Sequence, residues 1–371
     1  MSYALSKSRF VRGWYCHNWL WWSVHEPDAP ELQADRLVQD IGKQGTEIGL
    51  RAHAEFPGGV FIDLPYDAYD EKIEATRQAL EDGAPVIFEA SFREDGVFVA
   101  VDVLERDGDA WNVIEVKVNN DRKNKHIPDL AVQAHVVAAA GLRVGRCEVM
   151  HLNRDYRHPG PEPLFVRDDV SDRVAEIVDQ IPEAIETQIE VLNGPAPDLG
   201  IGLQCTGGHD CPFRGRCWPQ EADSVNRLYR MWTTTKLDLL GDGLESIVDV
   251  PDETRLTVIQ ERQRRALQAG RMIVEPGLGA ALDALRYPIG FLDFETMMRA
   301  LPPYDGLKPW AQVPTQFSYH ELAADGTVRH VEWLADEPGD PREPLARAMI
   351  EACRDAPQIL VYHKPFEGGR L

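Results

Sequence analysis

The stretch Val97–Val118, VFVAVDVLERDGDAWNVIEVKV, constrains this chain more than any other. Two runs rich in β-branched residues flank a polar turn, Glu105–Asp109, that contains Gly108. This pattern predicts a β-hairpin with a longer loop. Asp102, Glu115 and Lys117 stand where such strands bury apolar side chains. Glu115 and Lys117 are two apart, so they share one face of a strand. Asp102 belongs to the partner strand. A pairing that sets it beside Glu115 joins two carboxylates and an ammonium next to a core. Carboxylates this close repel unless a cation lies between them, and hard oxygen donors suit Mg²⁺ or Mn²⁺. Such a metal lowers the pKa of its water and polarises a phosphoryl oxygen. The lysine can hold that water and offset charge in the transition state. The plain alternative is an ion pair of Glu115 with Lys117 on a sheet surface.

With 371 residues there is room for two or three domains. No run approaches 18 apolar residues, so no membrane span is expected. The aromatic-rich start, MSYALSKSRFVRGWYCHNWLWW, lacks an uninterrupted apolar segment and a small-residue cleavage site. A cytoplasmic location is therefore expected. The net charge of −22 argues against a general nucleic-acid coat protein. It leaves room for a local basic groove. Lys117, Arg122, Lys123 and Lys125 form one candidate patch, and Arg262, Arg264 and Arg265 another; a solvated face is the plain reading of each.

In chain order, residues 5–22 read as a short amphipathic segment in which Trp14, Trp19, Trp21 and Trp22 crowd around Cys16. Such density of tryptophan points to a packed site. Helices are expected over 31–52 and 71–82, then strands Val86–Phe92, Val97–Leu104 and Trp111–Val118. A helix opening at Pro128 stops at Gly141, and Arg146–Leu152 is a fourth strand. Residues 171–193 read as one helix kinked at Pro182.

The pattern Asp102-x12-Glu115-x-Lys117 resembles the PD-(D/E)xK nuclease signature, and helix, three strands, helix, strand is the core of that superfamily. The resemblance implies an α/β restriction-endonuclease-like core with Asp102 and Glu115 as metal ligands and Lys117 catalytic. Gln133, on the helix after the lysine strand, resembles the glutamine motif of RecB-like nucleases; where that family commonly has an aromatic residue four positions later, this chain has Val137. The family's early histidine matches Gly49 within GTEIG, with His53 nearby but out of register. Glu89 is a further candidate ligand or supporting group, or a charged strand residue only.

Cys205, Cys211 and Cys217 lie at two equal intervals of six in CTGGHDCPFRGRCW. An intracellular chain rarely uses such a cluster for disulfides, and clustered thiolates point to a metal site. Cys16 is the best fourth ligand. This layout resembles RecB-like nucleases of the CRISPR-associated and AddB types, which implies a [4Fe–4S] cluster stapling the two ends of the domain. Zn²⁺ is the alternative, with His209 able to replace one cysteine. Cys147 and Cys353 read as small buried hydrophobes.

Residues 221–285 form a helical linker; LGDGL followed by IVDV resembles a helix-hairpin-helix element, with a plain spacer as the alternative. In YPIGFLDFETM, Asp293 and Glu295 are two apart on a strand that Phe291, Leu292 and Phe294 mark as buried. This resembles the first metal motif of DnaQ-like exonucleases on the RNase H fold. HKPFE resembles the second, with Glu367 where Asp is usual. FLDFET, the block Pro302–His320, DPREPLARAM and VYHKPFEGGRL together resemble the start of the DUF2779 domain, as LSKSRFVRGWYC fits the start of its RecB-like N-terminal region. The chain stops at Leu371, before a third motif, so the second site is expected to be incomplete and unable to cleave alone. The resulting division is 1–220 nuclease region with cysteine cluster, 221–285 linker, and 286–371 partial RNase H-like domain.

The reading that these features support is a metal-dependent deoxyribonuclease, exonucleolytic, acting on single- or double-stranded DNA. Two alternatives stand beside it: a non-cleaving iron–sulfur or zinc scaffold that binds DNA ends, and a structural zinc protein with an unrelated C-terminal enzyme.

Overall fold

A computed structural model describes residues 5–206, 209–336 and 338–369. It is a mixed α/β protein whose chain divides into two compact units: Met1–Asn153 with Pro163–Met272, and Arg154–Glu162 with Ile273–Leu371.

The first unit begins with β1 (Leu5–Ser6), α1 (Lys7–Tyr15) and α2 (His17–His25), then α3 (Arg36–Ala52), β2 (Val60–Phe61) and α4 (Tyr69–Glu81). The hairpin follows as β3 (Val86–Glu94), β4 (Val97–Asp107) and β5 (Ala110–Lys117). Next come α5 (Ile127–Ala139), β6 (Val144–Leu152), β7 (Phe165–Asp169), α6 (Ser171–Ala175) and α7 (Ile181–Asn193). The sheet runs β2-β3-β4-β5-β6-β7, with β1 added in parallel to β4. The β3-β4-β5 meander is antiparallel, whereas β5 and β6 pair in parallel, as the intervening α5 crossover requires.

The longer loop expected at Glu105–Asp109 is corrected. Pairing continues to Asp107 opposite Ala110, leaving a two-residue Gly108-Asp109 turn. Gly108 has φ +64°, the conformation that a tight hairpin needs at its first turn residue. The kinked helix expected over 171–193 is corrected as well. Pro182 lies in the first turn of a new helix, where its missing N–H costs nothing, and the chain breaks before it.

Helix α5 explains the core. Leu130, Ala131, Val132, Val136 and Val137 are buried together with Val99, Val101, Val113 and Val149 of the sheet. Val137, at the position where RecB-like nucleases commonly carry an aromatic residue, is a fully buried member of this core. Cys147 is buried there too.

After α8 (Arg214–Cys217), a second apolar cluster, Val225, Leu228, Leu239, Ile247 and Val250, organises α9 (Thr233–Gly241) and α10 (Val258–Ala269), with Leu240 and Leu267 packed against it. The turn after α9 uses the N–H groups of Gly243 and Leu244 on the carbonyls of Leu240 and Leu239. Those donors close the helix and do not point outward to a phosphate. Arg264 is also drawn inward: it donates to the carbonyl of Val250 at 2.9 Å and pairs with Asp252 and Glu261.

In the second unit, α11 (Leu278–Asp283) precedes a four-stranded sheet ordered β10 (Val328–Leu334), β9 (Gln312–Leu322), β8 (Ile289–Met298), β11 (Gln358–Leu360). Strand β11 joins in parallel and the others are antiparallel. Leu292 and Phe294 pack with Leu345 and Ala352 of α12 (Arg342–Ala352).

Candidate functional site

Continuing the β4–β5 register from Val103 opposite Ile114 sets Asp102 across from Glu115. The Asp102 carboxylate accepts a hydrogen bond from the backbone N–H of Val116 at 2.7 Å. Lys117 Nζ donates to Glu115 Oε1 at 2.6 Å and to Asp129 Oδ2 at 2.9 Å. Gln133, fully buried on α5, donates from Nε2 to Glu115 Oε2 at 2.7 Å and to the Asp129 carbonyl. The four residues singled out from the sequence therefore meet, brought by two strands and one helix.

Lys7 and Asp129 are the residues of this cluster that sequence reasoning missed. Of the two, Lys7 makes the longer-range contact. Its ammonium donates to both Glu115 oxygens, at 2.9 and 3.1 Å, and stands 4.0 Å from Asp102 Oδ1. It lies 108 positions from Glu115, so no local spacing could have flagged it. Its delivery rests on β1, which pairs with β4 and places the first turn of α1 over the carboxylates. Burial penalises the charge on Lys7 and Lys117, but Glu115 and its acidic neighbours raise both ammonium pKa values above their ordinary range. Burial likewise disfavours the Glu115 anion, yet the two lysines hold its carboxyl well below the usual range. Asp102 behaves oppositely. Burial and the Glu115 charge push its carboxyl up to about 7.

A cleft of about 540 Å³ opens over this cluster, lined by Asp102, Glu115, Lys117, Glu89, Lys72 and His53 among others. Glu89 faces it from β3 with φ +58°, a left-handed conformation that is uncommon for a residue other than glycine. Ladder pairing is recorded on both sides of Glu89, at Phe88–Val103 and Ala90–Val101, so the distortion is local and stands across from Asp102. Strain of this kind gathers at functional sites. Gly49 and His53 sit one turn apart on and just beyond α3, and both line the cleft. The His53 ring stacks on Phe88 at 3.9 Å, and burial lowers its pKa.

The four cysteines, Cys16, Cys205, Cys211 and Cys217, line a different cavity of about 180 Å³. All are free thiols. Trp19, Trp22 and Trp218 help to wall it. Burial, together with the neighbouring thiols, pushes Cys211 up to about 11. His209 stacks between Tyr15 at 4.2 Å and Trp19 at 5.4 Å, and its Nδ1 is buried with no partner among the described residues. Asn18 holds the helix after Cys16 to Leu199 through both its amide atoms, and Arg216 ties the Cys217 helix to Glu26 and Glu31. The donor set, soft and mutually repelling once ionised, fits a thiophilic metal or cluster. Likewise, three carboxylates facing one cleft fit a hard divalent cation. Among the described residues no group of three or more His, Cys, Asp or Glu side chains is arranged, as it stands, to hold a metal ion.

In the second unit, Asp293 and Glu295 share the exposed face of β8, opposite Ser318 and Gln316. Strand β8 is interior to its sheet, so this is not an edge. Phe291 is corrected: alternation places it with the two acids, 40 % exposed, while only Leu292 and Phe294 face the α12 layer. Glu367 is buried, with Oε2 unpartnered among the described residues, and lines one cavity with Asp293; Glu295 does not line it.

Residues 290–371 match the family model described as Domain of unknown function (DUF2779). The DUF2779 resemblance is thereby borne out over that stretch. No curated protein matches the chain. The crystal structure of SSO0001 aligns over 57 % of this chain and 85 % of its own at 13 % identity, with a TM-score of 0.32. So slight a likeness carries no functional weight. Among the described residues no helix is long and apolar enough to cross a membrane.

Proposed function

We propose that the first unit is a metal-dependent deoxyribonuclease with a PD-(D/E)xK-type site, stabilised by a [4Fe–4S] cluster. The observation that carries this reading is the meeting of Asp102, Glu115 and Lys117 at one cleft, with the buried Gln133 bonded to Glu115 behind it. Asp102 and Glu115 would hold Mg²⁺ or Mn²⁺, with Glu89 close enough along the cleft to support them. When bound, the ion would activate water and polarise a phosphoryl oxygen. Lys117 orients the attacking water and offers a positive charge to the developing phosphate anion. Gln133 fixes the Glu115 carboxylate, so the ligand set is held before substrate arrives. Asp129, bonded to Lys117, keeps that lysine protonated and aimed. The cluster would be held by Cys16, Cys205, Cys211 and Cys217, joining the start of the unit to residues beyond its sheet.

A second reading draws support from Lys7. Its ammonium donates to both Glu115 oxygens, and a carboxylate balanced by lysines suits a non-cleaving scaffold that binds DNA ends. A structural zinc protein is the third, and the unpartnered His209 nitrogen supports zinc over a cluster. The second unit's Asp293, Glu295 and Glu367 are proposed as metal-holding carboxylates of an RNase H-like site.

The deciding experiment is cleavage of end-labelled single- and double-stranded DNA with Mg²⁺ or Mn²⁺ by protein purified without oxygen, beside Lys117→Ala. Cleavage by the parent, reduced at least a hundredfold in the variant, is expected. No cleavage by either, with the visible absorbance of the cluster intact, moves the reading to the scaffold.

A further inference from the structure

Beside the acidic cleft lies a cavity of about 400 Å³, lined by Arg9, Tyr66, Tyr69, Arg93 and Phe98. Its character is opposite to that of the chain as a whole, which carries a net charge of −22. Tyr69 meets Phe98 edge-on with ring centroids 4.7 Å apart, and Tyr66 stands 6.3 Å from Tyr69. The Arg93 guanidinium lies 6.0 Å over the Phe98 ring and is steadied by Asp70 at 2.7 Å. Tyr66 is 79 % exposed, so it is not part of the core. It also lines the acidic cleft, and so forms the shared wall of the two cavities.

We infer that this cavity is a nucleobase subsite that takes an unpaired base of single-stranded DNA beside the candidate cleavage site; the inference rests on the nuclease reading above. Aromatic faces bind any base by stacking, and arginines track the phosphates on either side. A base in a duplex has both faces covered by its neighbours and cannot enter without leaving the stack. The geometry therefore selects a single strand or a frayed end. The volume lies within the range of small-ligand sites, about 300–1,000 Å³. Because Tyr66 borders both cavities, a strand whose base enters here presents its adjoining phosphate to Lys117 and the carboxylates.

The test is fluorescence anisotropy of the full chain with a thymidine oligonucleotide, the same oligonucleotide made of abasic units, and a blunt duplex, all in EDTA so that nothing is cut. The parent should bind the thymidine strand about tenfold more tightly than the abasic strand. Tyr66→Ala should bring the two within about threefold, and Phe98→Leu should weaken thymidine binding in the same direction. Equal affinity of the parent for both strands, an undiminished preference in Tyr66→Ala, or no measurable binding overturns the subsite. Base-dependent binding without metal-dependent cleavage would leave the subsite standing and remove the nuclease. Cleavage without base preference would do the reverse.

Discussion

At Glu115, one carboxylate serves three donors: Lys7, Lys117 and Gln133. Removing one of them leaves two, so the effect of Lys7→Met should be a loss rather than a collapse. We expect metal-free protein to lose about 2 kcal/mol, the typical worth of hydrogen bonds to a charged group, read by urea denaturation in EDTA. An unchanged midpoint would mean that Lys7 contributes nothing to holding the carboxylate. The sequence made part of this cluster legible. The two-residue spacing of Glu115 and Lys117 put them on one face, and the resemblance to the glutamine motif of RecB-like nucleases pointed to Gln133 on the helix after them. Lys7 was not legible, because contacts across 108 residues depend on which strand β1 joins, and two residues of strand carry almost no pattern. Asp129 had a closer partner in sequence but looked like an ordinary acid in the first turn of a helix.

The sheet of the first unit is clamped by polar side chains on successive strands. Glu105 of β4 accepts from Asn112 of β5 at 3.1 Å and from Arg167 of β7 at 2.5 Å, while Arg167 also reaches Glu148 of β6 at 2.5 Å. The Arg167 hydrogen bond holds the Glu105 carboxyl below its ordinary range. A depressed folded-state pKa stabilises above the ordinary carboxylate range and is lost as pH falls through the depressed value. Arg167→Met should therefore cost about 2 kcal/mol near pH 7, and the deficit should shrink below about pH 4. Denaturation curves of both proteins across that range would check it, and a pH-independent deficit would assign the loss to packing of Arg167 on Phe56 instead. At this scale the sequence read well where periodicity was strong. Strands β3 to β6 and helix α5 stand where alternation and apolar spacing predicted them. Errors came where one residue decides: Pro182 began a helix instead of bending one, and Gly108 closed the hairpin in two residues. Phe291 was misjudged because aromatic content was read as burial, whereas alternation in β8 assigns it to the open face.

Over the whole molecule, the cysteine cavity joins positions far apart in the chain, and metal held there would count as folding free energy. Cys16→Ala should lose most of the bound iron or zinc, measured by metal analysis after anaerobic purification, and unfold at lower temperature than the parent. Parent protein free of both metals would sink the cluster and the zinc alternative together. The four cysteines were legible as a set from composition and spacing, but the stitching that brings them together was not. Asn18, Trp21 and His25 bond backbone carbonyls between Leu192 and Leu199, and nothing in their own neighbourhood announces those partners.

The short strand β1 and the helices after it have a consequence in time. They are synthesised before the rest of their unit, yet Cys16 shares a cavity with Cys217, made about 200 residues later. At about 5–20 residues per second, a ribosome needs roughly 10–40 s to cover that distance. Only in the second half of that interval, once β4 and Glu115 have been made, can Leu5–Ser6 dock on β4 and bring Lys7 to Glu115, while the Cys16 thiol still waits for Cys205, Cys211 and Cys217. The residues of the carboxylate cleft are thus complete before those of the thiol cavity, so the nascent chain passes through a stage in which Cys16 is made but its three cavity partners are not.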